Sequence, residues 1–526
     1  MKTLFTNVLV IGGGIAAMKA ALSAREKNED VLIISKGNTG RSGCSLISEG
    51  ILNGPFSEED SAELYYIDII KGSADVADKD LANVMANNAK ESVLSLQKFG
   101  VKFITRDGSL SLDLSGGNSV ARTVKIDPPG PGCGKAIPIK LYEKLKTTDI
   151  RAIDGYSVVK ILTEGNRAVS AIAHNGNDFI QINFKSAVLA TGGGGRLYRN
   201  STNPKGISGD GIFLGIDANA KLIDMEYVQF FPTVALTSYL VLPFIFTDGA
   251  ILINKDGERF IERYDPILME KTTRDKMSQA IFTEDQEGRG VDGGVFISCK
   301  NMPDDILKEK YGKEVEFFKS KNIDLKNDPL LVKPACHFFM GGIKIDDTCK
   351  TNIDGLYACG ECAGGTHGAN RLAGNALVEA LVFGEIAGKN ATRYANENEH
   401  VQTEANDFIE SLPKVDGKTS HANELDDLKE LAWSYLGIIR NEDGLNLALT
   451  RIYDMEKNLS KWTYKDFDEF FAIRNSLQIL KAIAISALVR KESRGAHYRS
   501  DYPSSKEEWK KAILIDGNFE ISYLSR

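Results

Sequence analysis

Three ionisable side chains in one glycine-rich run carry the densest chemistry in this chain: Glu361, His367 and Arg371, all within Gly355 to Gly384. An acid, an imidazole and a guanidinium this close in sequence can exchange protons, hold an anion, or do both. The surrounding glycines let backbone approach a bulky ligand, and amides at a helix start donate to an anion or a carbonyl oxygen. Leu356 to Ala358 reads as a short strand before the loop. Leu377 to Phe383 reads as an amphipathic helix after it, with Glu379 as its one charge. Strand end, loop and helix start therefore meet where an α/β sheet binds its ligand. The same residues also fit an ordinary connection with a C-cap glycine, and this motif alone does not choose between the two.

A second chemical signature opens the chain. Asn7 to Ile11 is a continuous apolar run, as expected of a strand buried on both faces. Gly12-Gly13-Gly14-Ile15-Ala16-Ala17 follows, then a helical pattern to about Arg25 and a second strand over Asp30 to Ile34. Strand, G-x-G-x-x-A, helix, strand is the context of a dinucleotide-binding fingerprint: Gly12 makes the turn, Gly14 clears room for a pyrophosphate, and Ala17 packs helix on strand. The second strand ends in Ser35-Lys36 rather than in an acid for a ribose 2′-hydroxyl, which points away from NAD. Further glycine turns follow Ala190 (Thr191, Gly192 to Gly195) and precede a helix at Ser208-Gly209-Asp210-Gly211, read to about Ala220.

These groups need elements to position them. At 526 residues, 42% hydrophobic and 26% charged, the chain has length for two or three globular domains. A net charge of −8, with no basic block, argues against a nucleic-acid partner. Met1 to Thr6 leads straight into a strand, so no signal peptide is read. The longest apolar runs, such as Tyr239 to Phe246, fall short of the about 20 residues that span a bilayer. Seven scattered cysteines indicate free thiols in a reducing compartment, and Cys359-x-x-Cys362 lacks a second pair for zinc, so no metal is expected. Ala62 to Lys71, Lys79 to Phe99 and Pro138 to Lys146 have helical spacing. Val158 to Leu162, Ala168 to His174 and Phe179 to Phe184 alternate like a small antiparallel sheet. Residues 224–345 change character. Asn396 to Gly417 is a polar linker, and Asn423 to Val489 reads as an antiparallel helical bundle.

In their order, the N-terminal fingerprint, MEYVQFFPT (Met225 to Thr233), GERF (Gly257 to Phe260), CHFFMGG (Cys336 to Gly342), HGANRLAGNAL (His367 to Leu377) and ESRGAHYRSDYP (Glu492 to Pro503) resemble one family over nearly the whole chain. It is the flavoprotein subunits of succinate dehydrogenases and fumarate reductases, which include L-aspartate oxidase. The resemblance implies an α/β fold: a Rossmann-like FAD-binding domain (1–232 and 346–405) with an inserted α+β capping domain (233–345) and a C-terminal helical bundle domain (415–526). It implies FAD, contacted by Gly12, Gly14, Ala17, Ser35, Lys36, Ala190, Gly192, Asp210, Glu361 and Leu377. Members that bond flavin covalently carry a histidine after Arg-Ser. Here Arg41-Ser42 is followed by Gly43, so the FAD is expected to be non-covalent, with a lower potential that favours reducing a double bond.

The implied reaction is hydride exchange between flavin N5 and the β-carbon of a carboxylic acid, with proton exchange at the neighbouring carbon. Arg259 takes the place of the proton-delivering arginine and Asp248 that of a glutamate in its proton path. His337 and Arg371 would hold a substrate carboxylate, with Thr247 and Phe231 as the other substrate-facing positions. Phe231 stands where the family's QFHPT has histidine, and Asn118 stands in a turn that often carries one. Losing a charge-assisted hydrogen bond of about 1.5–3 kcal/mol would weaken a dicarboxylate, so the substrate is not taken to be fumarate. Three functions stay open: a fumarate-reductase-like subunit fed by an iron–sulfur partner, a self-contained L-aspartate oxidase, and an electron-transfer subunit with a decayed acid site. The expected location is cytoplasmic, or peripheral on the inner face of a membrane through a partner, with no segment of its own inserted.

Overall fold

The computed structural model describes residues 1–26, 30–130, 132–236 and 239–526. At its centre is a seven-stranded sheet in which Arg151–Asp154, Val31–Ser35, Lys2–Ile11, Phe179–Leu189 and Leu356–Ala358 run parallel. Val8 to Ile11 and Val31 to Ile34 are at most 3% exposed, which is why these strands show apolar runs rather than alternation. Phe179–Leu189 pairs with Lys2–Ile11 along one side. On its other side it meets Arg167–His174 antiparallel and then Leu356–Ala358 in parallel. The three alternating segments expected as a separate small sheet are therefore the antiparallel margin of this one, and Phe179 to Leu189 is a single strand.

Helix Ile15–Arg25 lies against helix Asn375–Glu397 at backbone contact. A Cβ placed on Gly388 would sit 2.1 Å from the Ala20 carbonyl oxygen. This contact ties the opening fingerprint to the glycine-rich stretch near residue 370.

The capping unit is an antiparallel five-stranded sheet in the order Tyr239–Leu240, Val228–Ala235, Leu330–Phe339, Val295–Ser298, Ile251–Ile253. Its own apolar core includes Phe246, Phe260, Met277 and Phe318. The register of its two central strands is broken. Gln229 pairs with Phe338 and Phe230 with Cys336, so His337 is the extra residue of a bulge. Bulges of this kind re-aim side chains beside functional sites.

Helices Ala422–Tyr435, Glu442–Glu456 and Phe467–Val489 form the C-terminal bundle. The last of them, 23 residues with an 18-residue stretch of mean hydropathy 1.3, is long and apolar enough to cross a membrane, a run longer than any noted in the sequence. Phe471, Ile473, Leu477, Leu480 and Ile483 are buried within the protein, so it packs as a core helix. The chain beyond it is not helical bundle. Lys511–Ile515 and Ile521–Ser525 join Leu222–Ile223, Gly342–Lys344 and Ala363–Gly364 in a second five-stranded sheet.

Buried ion pairs lock these units together. Arg490 bridges Glu226 at 2.7 Å and Glu492 at 3.0 Å, and Arg494 meets Glu492 at 2.8 Å. Arg440 donates to the Glu226 carbonyl oxygen at 2.7 Å and lies 2.8 Å from His497 Nδ1. Arg490, Arg494, Glu226 and Glu492 are paired with opposite charges, the condition under which burial is tolerated, while Arg440 is held by neutral acceptors.

Gly388→Ala should overpack the two-helix contact and cost about 1–3 kcal/mol, read as a lower urea midpoint. An unchanged midpoint would show that the helices separate freely.

Candidate active site

A cavity of about 870 Å³ runs along the ends of the parallel strands and under the capping sheet. The chain turns into it at Gly12 with φ +133°, where a Cβ would lie 2.1 Å from the Ala190 carbonyl oxygen, so only glycine fits between the two strand ends. Helices Ile15–Arg25, Asp210–Asp217 and Asn375–Glu397 all begin at this cavity, whose lining includes Ile15, Asp210 and Ala376. Helix starts of this kind suit a pyrophosphate or a polarised carbonyl. Gly12, Gly14, Ser35, Lys36, Ala190, Gly192, Asp210, Glu361 and Leu377 all line it. Lys36 Nζ meets Asp210 Oδ2 at 3.0 Å, which ties the end of the second strand to the start of a helix. Ala17 does not reach the cavity: it is fully buried and packs its helix on the sheet. Long, backbone-lined and furnished with these amides, the cavity fits FAD.

Glu361 accepts from the Phe339 amide at 3.1 Å, and burial pushes its carboxyl up to about 7, partly offset by the Arg371 charge. The nearby C-x-x-C is packing. Cys362 donates its thiol to the Leu189 carbonyl at 3.1 Å, and burial pushes the thiol up to about 11.

At the cavity's far end lie Arg274, Arg371, His337 and Phe231. Gln229 accepts from Arg371 Nη2 at 3.0 Å and donates to the Arg371 carbonyl at 3.0 Å, so QFFPT fixes the arginine of HGANR. The guanidinium lies 4.2 Å from the Phe338 ring centroid, and its Nε–H has no partner among the described residues. Arg274 opens helix Arg274–Gln286 and sits 5.0 Å from the Phe231 ring, with Nη1 likewise unpartnered. Burial, aided by the Arg371 charge, lowers the Arg274 guanidinium to about 9; burial lowers Arg371 to about 10. His337 Nδ1 is 2.9 Å from Thr202 Oγ1, and burial beside both arginines holds the ring well below its usual range, hence neutral. A buried cation, Arg371, and a half-buried one, Arg274 with its Nη1 buried, both with unclaimed donors, make an anion site with the neutral imidazole.

Several expected residues lie elsewhere. Arg259 is outside the cavity lining: half exposed, it forms a bidentate pair with Glu270 at 3.0 and 2.6 Å. Asp248 is also outside, bound to Lys310 Nζ at 2.7 Å and the Tyr311 hydroxyl at 2.6 Å, and Thr247 beside it is exposed. The turn between the Ile251–Ile253 strand and the Arg274 helix carries GERF away from the site. His367 turns to Glu379 at 3.2 Å, and Asn118 hydrogen-bonds within its own turn to the Ser115 carbonyl. Arg274 was missed by the sequence reading. Its signal was an arginine at a helix start, where the macrodipole disfavours a cation, ahead of the buried face Met277, Ala280 and Ile281.

Residues 7–377 match a family profile described as FAD binding domain, and residues 425–525 match fumarate reductase flavoprotein C-term. The chain is 40% identical over 525 residues to an uncharacterized FAD-dependent oxidoreductase of Methanocaldococcus jannaschii, covering 97% of this chain and 96% of that one. It is 34% identical over 544 residues to one subunit of the fumarate reductase (CoM/CoB) of Methanothermobacter marburgensis, covering 99% and 98%. Among solved structures, E. coli quinol fumarate reductase superposes with a TM-score of 0.91 at 27% identity, covering 100% of this chain and 97% of that chain.

Gly43 lines the cavity with no side chain to bond a flavin. Acid precipitation of the purified protein should leave a colourless pellet and a yellow supernatant. A fluorescent protein band on a denaturing gel would contradict this.

Proposed function

The chain belongs to the succinate dehydrogenase and fumarate reductase flavoprotein family, which also holds L-aspartate oxidases, and from that membership we propose that this FAD-dependent CH–CH oxidoreductase reduces a double bond conjugated to a carboxylate. The observation that carries the reading is the convergence of Arg274 and Arg371, both with unclaimed buried N–H groups, on the FAD cavity. FAD, when bound, supplies the two-electron hydride chemistry at the carbon β to the carboxylate. Arg371, held by Gln229, grips the carboxylate through its free Nε–H and remaining Nη hydrogens. Neutral His337, with Nδ1 engaged by Thr202, leaves Nε2 for the same anion.

Arg274 rather than Arg259 is then the group that passes a proton to the α-carbon. An ordinary guanidinium is a poor acid, but burial, a neighbouring cation and a helix start all destabilise its charged form. Its positive charge also stabilises the negative charge that develops beside it. The electrons come from a separate iron–sulfur protein, which would place the chain in the cytoplasm or against a membrane through that partner. Support for this is the likeness to a quinol fumarate reductase and the state of the chain's own seven cysteines, all free thiols and five of them buried.

Turnover with reduced viologen and an unsaturated acid, set against oxygen uptake with L-aspartate, separates the reductase from the oxidase. Arg274→Ala should lower reductase turnover by about 10²–10⁴ with flavin retained, whereas Arg259→Ala should stay within a few-fold. The reverse ranking would restore Arg259 as the acid. Because the donor must be protonated, wild-type turnover should be full below pH 8 and fall as pH rises through about 9. A rate flat to pH 10.5 would exclude Arg274 as that donor.

A further inference from the structure

We propose that the acid taken by this site is a monocarboxylate, a 2-alkenoate whose β-carbon bears a hydrocarbon group; this rests on the reductase reading above. The polar groups at the substrate end are few, and one carboxylate engages them. Arg371 and His337 face the same anion, and Arg274 is occupied by the proton transfer. Thr202 and Asn203 also line the cavity, but the Asn203 amide donates to Thr202 Oγ1 and the His337 carbonyl, and its unpartnered Oδ1 offers a carboxylate no donor; what remains of that end among the described residues is hydrocarbon. Phe231 packs in one cluster with Val234, Ala335, Leu240 and Leu242, and Phe231, Leu240 and Leu242 all line the cavity.

Phe231 itself sits in the centre, 5.0 Å from the Arg274 guanidinium and 5.3 Å from the His337 ring. A second carboxylate laid against this wall would meet ring carbons and methyl groups, with no N–H among the described residues beyond those of Arg274 and His337, which the first carboxylate and the proton transfer engage.

The flank of the wall adds no buried cation for a second anion among the described residues. Tyr239 lines the cavity but stacks on Phe317 at 4.7 Å, and the charges of Glu314 and Glu49 act on it. Glu49 also lines the cavity, and burial together with Glu314 pushes its carboxyl up to about 7. Lys135 and Lys205 line the cavity too, but both are exposed, where solvent and salt screen their attraction. An alkyl or aryl group gains on every count. Each methylene buried against Phe231, Leu240 and Leu242 is worth roughly fourfold in affinity until the wall is covered.

The test uses the purified holoprotein with its flavin reduced by viologen, mixed with fumarate, crotonate, 2-hexenoate or cinnamate, reading flavin reoxidation. The expected result is a kcat/KM for 2-hexenoate or cinnamate roughly 10- to 100-fold above that for fumarate, with crotonate between them. Fumarate reacting fastest overturns the substrate class while leaving the reductase reading intact. No acid reoxidising the flavin overturns the reductase reading and this proposal with it.

An equilibrium measurement stands beside the kinetics: flavin difference spectra of the oxidised protein titrated with hexanoate and with succinate. Hexanoate should bind more tightly than succinate. Phe231→His should reverse that order, tightening succinate by roughly tenfold or more. Tighter succinate binding by the unmodified protein overturns the proposal, whether or not the variant folds.

Discussion

Two guanidiniums within reach of each other's field, Arg371 buried and Arg274 half-buried, set the terms on which the rest of this molecule is built. Taking one cation out of water costs several kcal/mol, and here neither has a carboxylate bound to it among the described residues. Phenyl faces offset part of that cost, Phe231 for Arg274 and Phe338 for Arg371, as do the Gln229 side chain and the Leu372 carbonyl. The remainder is carried by the frame. An anion entering the cavity therefore meets donors that are already desolvated and already aimed, so little of its binding energy goes into arranging them.

The frame explains why the C-terminal motif lies so far in sequence from the chemistry. Ala369, two residues before Arg371, is pinned from both sides: its amide donates to the Ser73 carbonyl at 3.1 Å, and its carbonyl accepts from the Ala496 amide at 2.9 Å. Ala496 belongs to ESRGAHYRSDYP, whose Arg494 pairs with Glu492, and Glu492 in turn shares Arg490, just before the motif, with Glu226. Glu226 lies on the approach to the strand that carries Gln229 and Phe231. Bundle and capping sheet thus share one ionic cluster, and through the backbone of Ala369 the motif braces Arg371 without itself lining the cavity.

Much of this was legible in the residues. The fingerprint between Ile11 and Arg25, the helices near Ala62–Gly72 and Lys79–Lys98, and the cavity-lining Gly12, Ser35, Glu361 and Leu377 depend on local rules, turn chemistry and 3.6-residue spacing, which a sequence displays directly. The choice between Arg259 and Arg274 was not legible. Both lie in charged stretches, and which one turns inward depends on the path of the chain between them and on buried Glu270, which claims the half-exposed Arg259. His337 was singled out, but the bulge that aims it arises from a register mismatch between two strands more than a hundred residues apart, invisible to any local window. The continuity of Phe179–Leu189 was hidden for a similar reason: its neighbours change from antiparallel to parallel midway, and so does its pattern of polar and apolar residues.

Leu222–Ile223 is only two residues long, yet it is the seam of the second sheet, with Gly342–Lys344 on one side and Lys511–Ile515 on the other. Synthesis runs from the N-terminus, so when this seam leaves the ribosome neither flanking strand exists. The first arrives after the whole capping unit has been made, and the second only after the helical bundle. Through most of elongation the nascent chain therefore carries an open strand edge and an incomplete cofactor-binding unit, a state prone to mispairing with its neighbours. Maturation of this flavoprotein is accordingly timed by its last segments, and its demand on chaperones should be set by how long that edge waits.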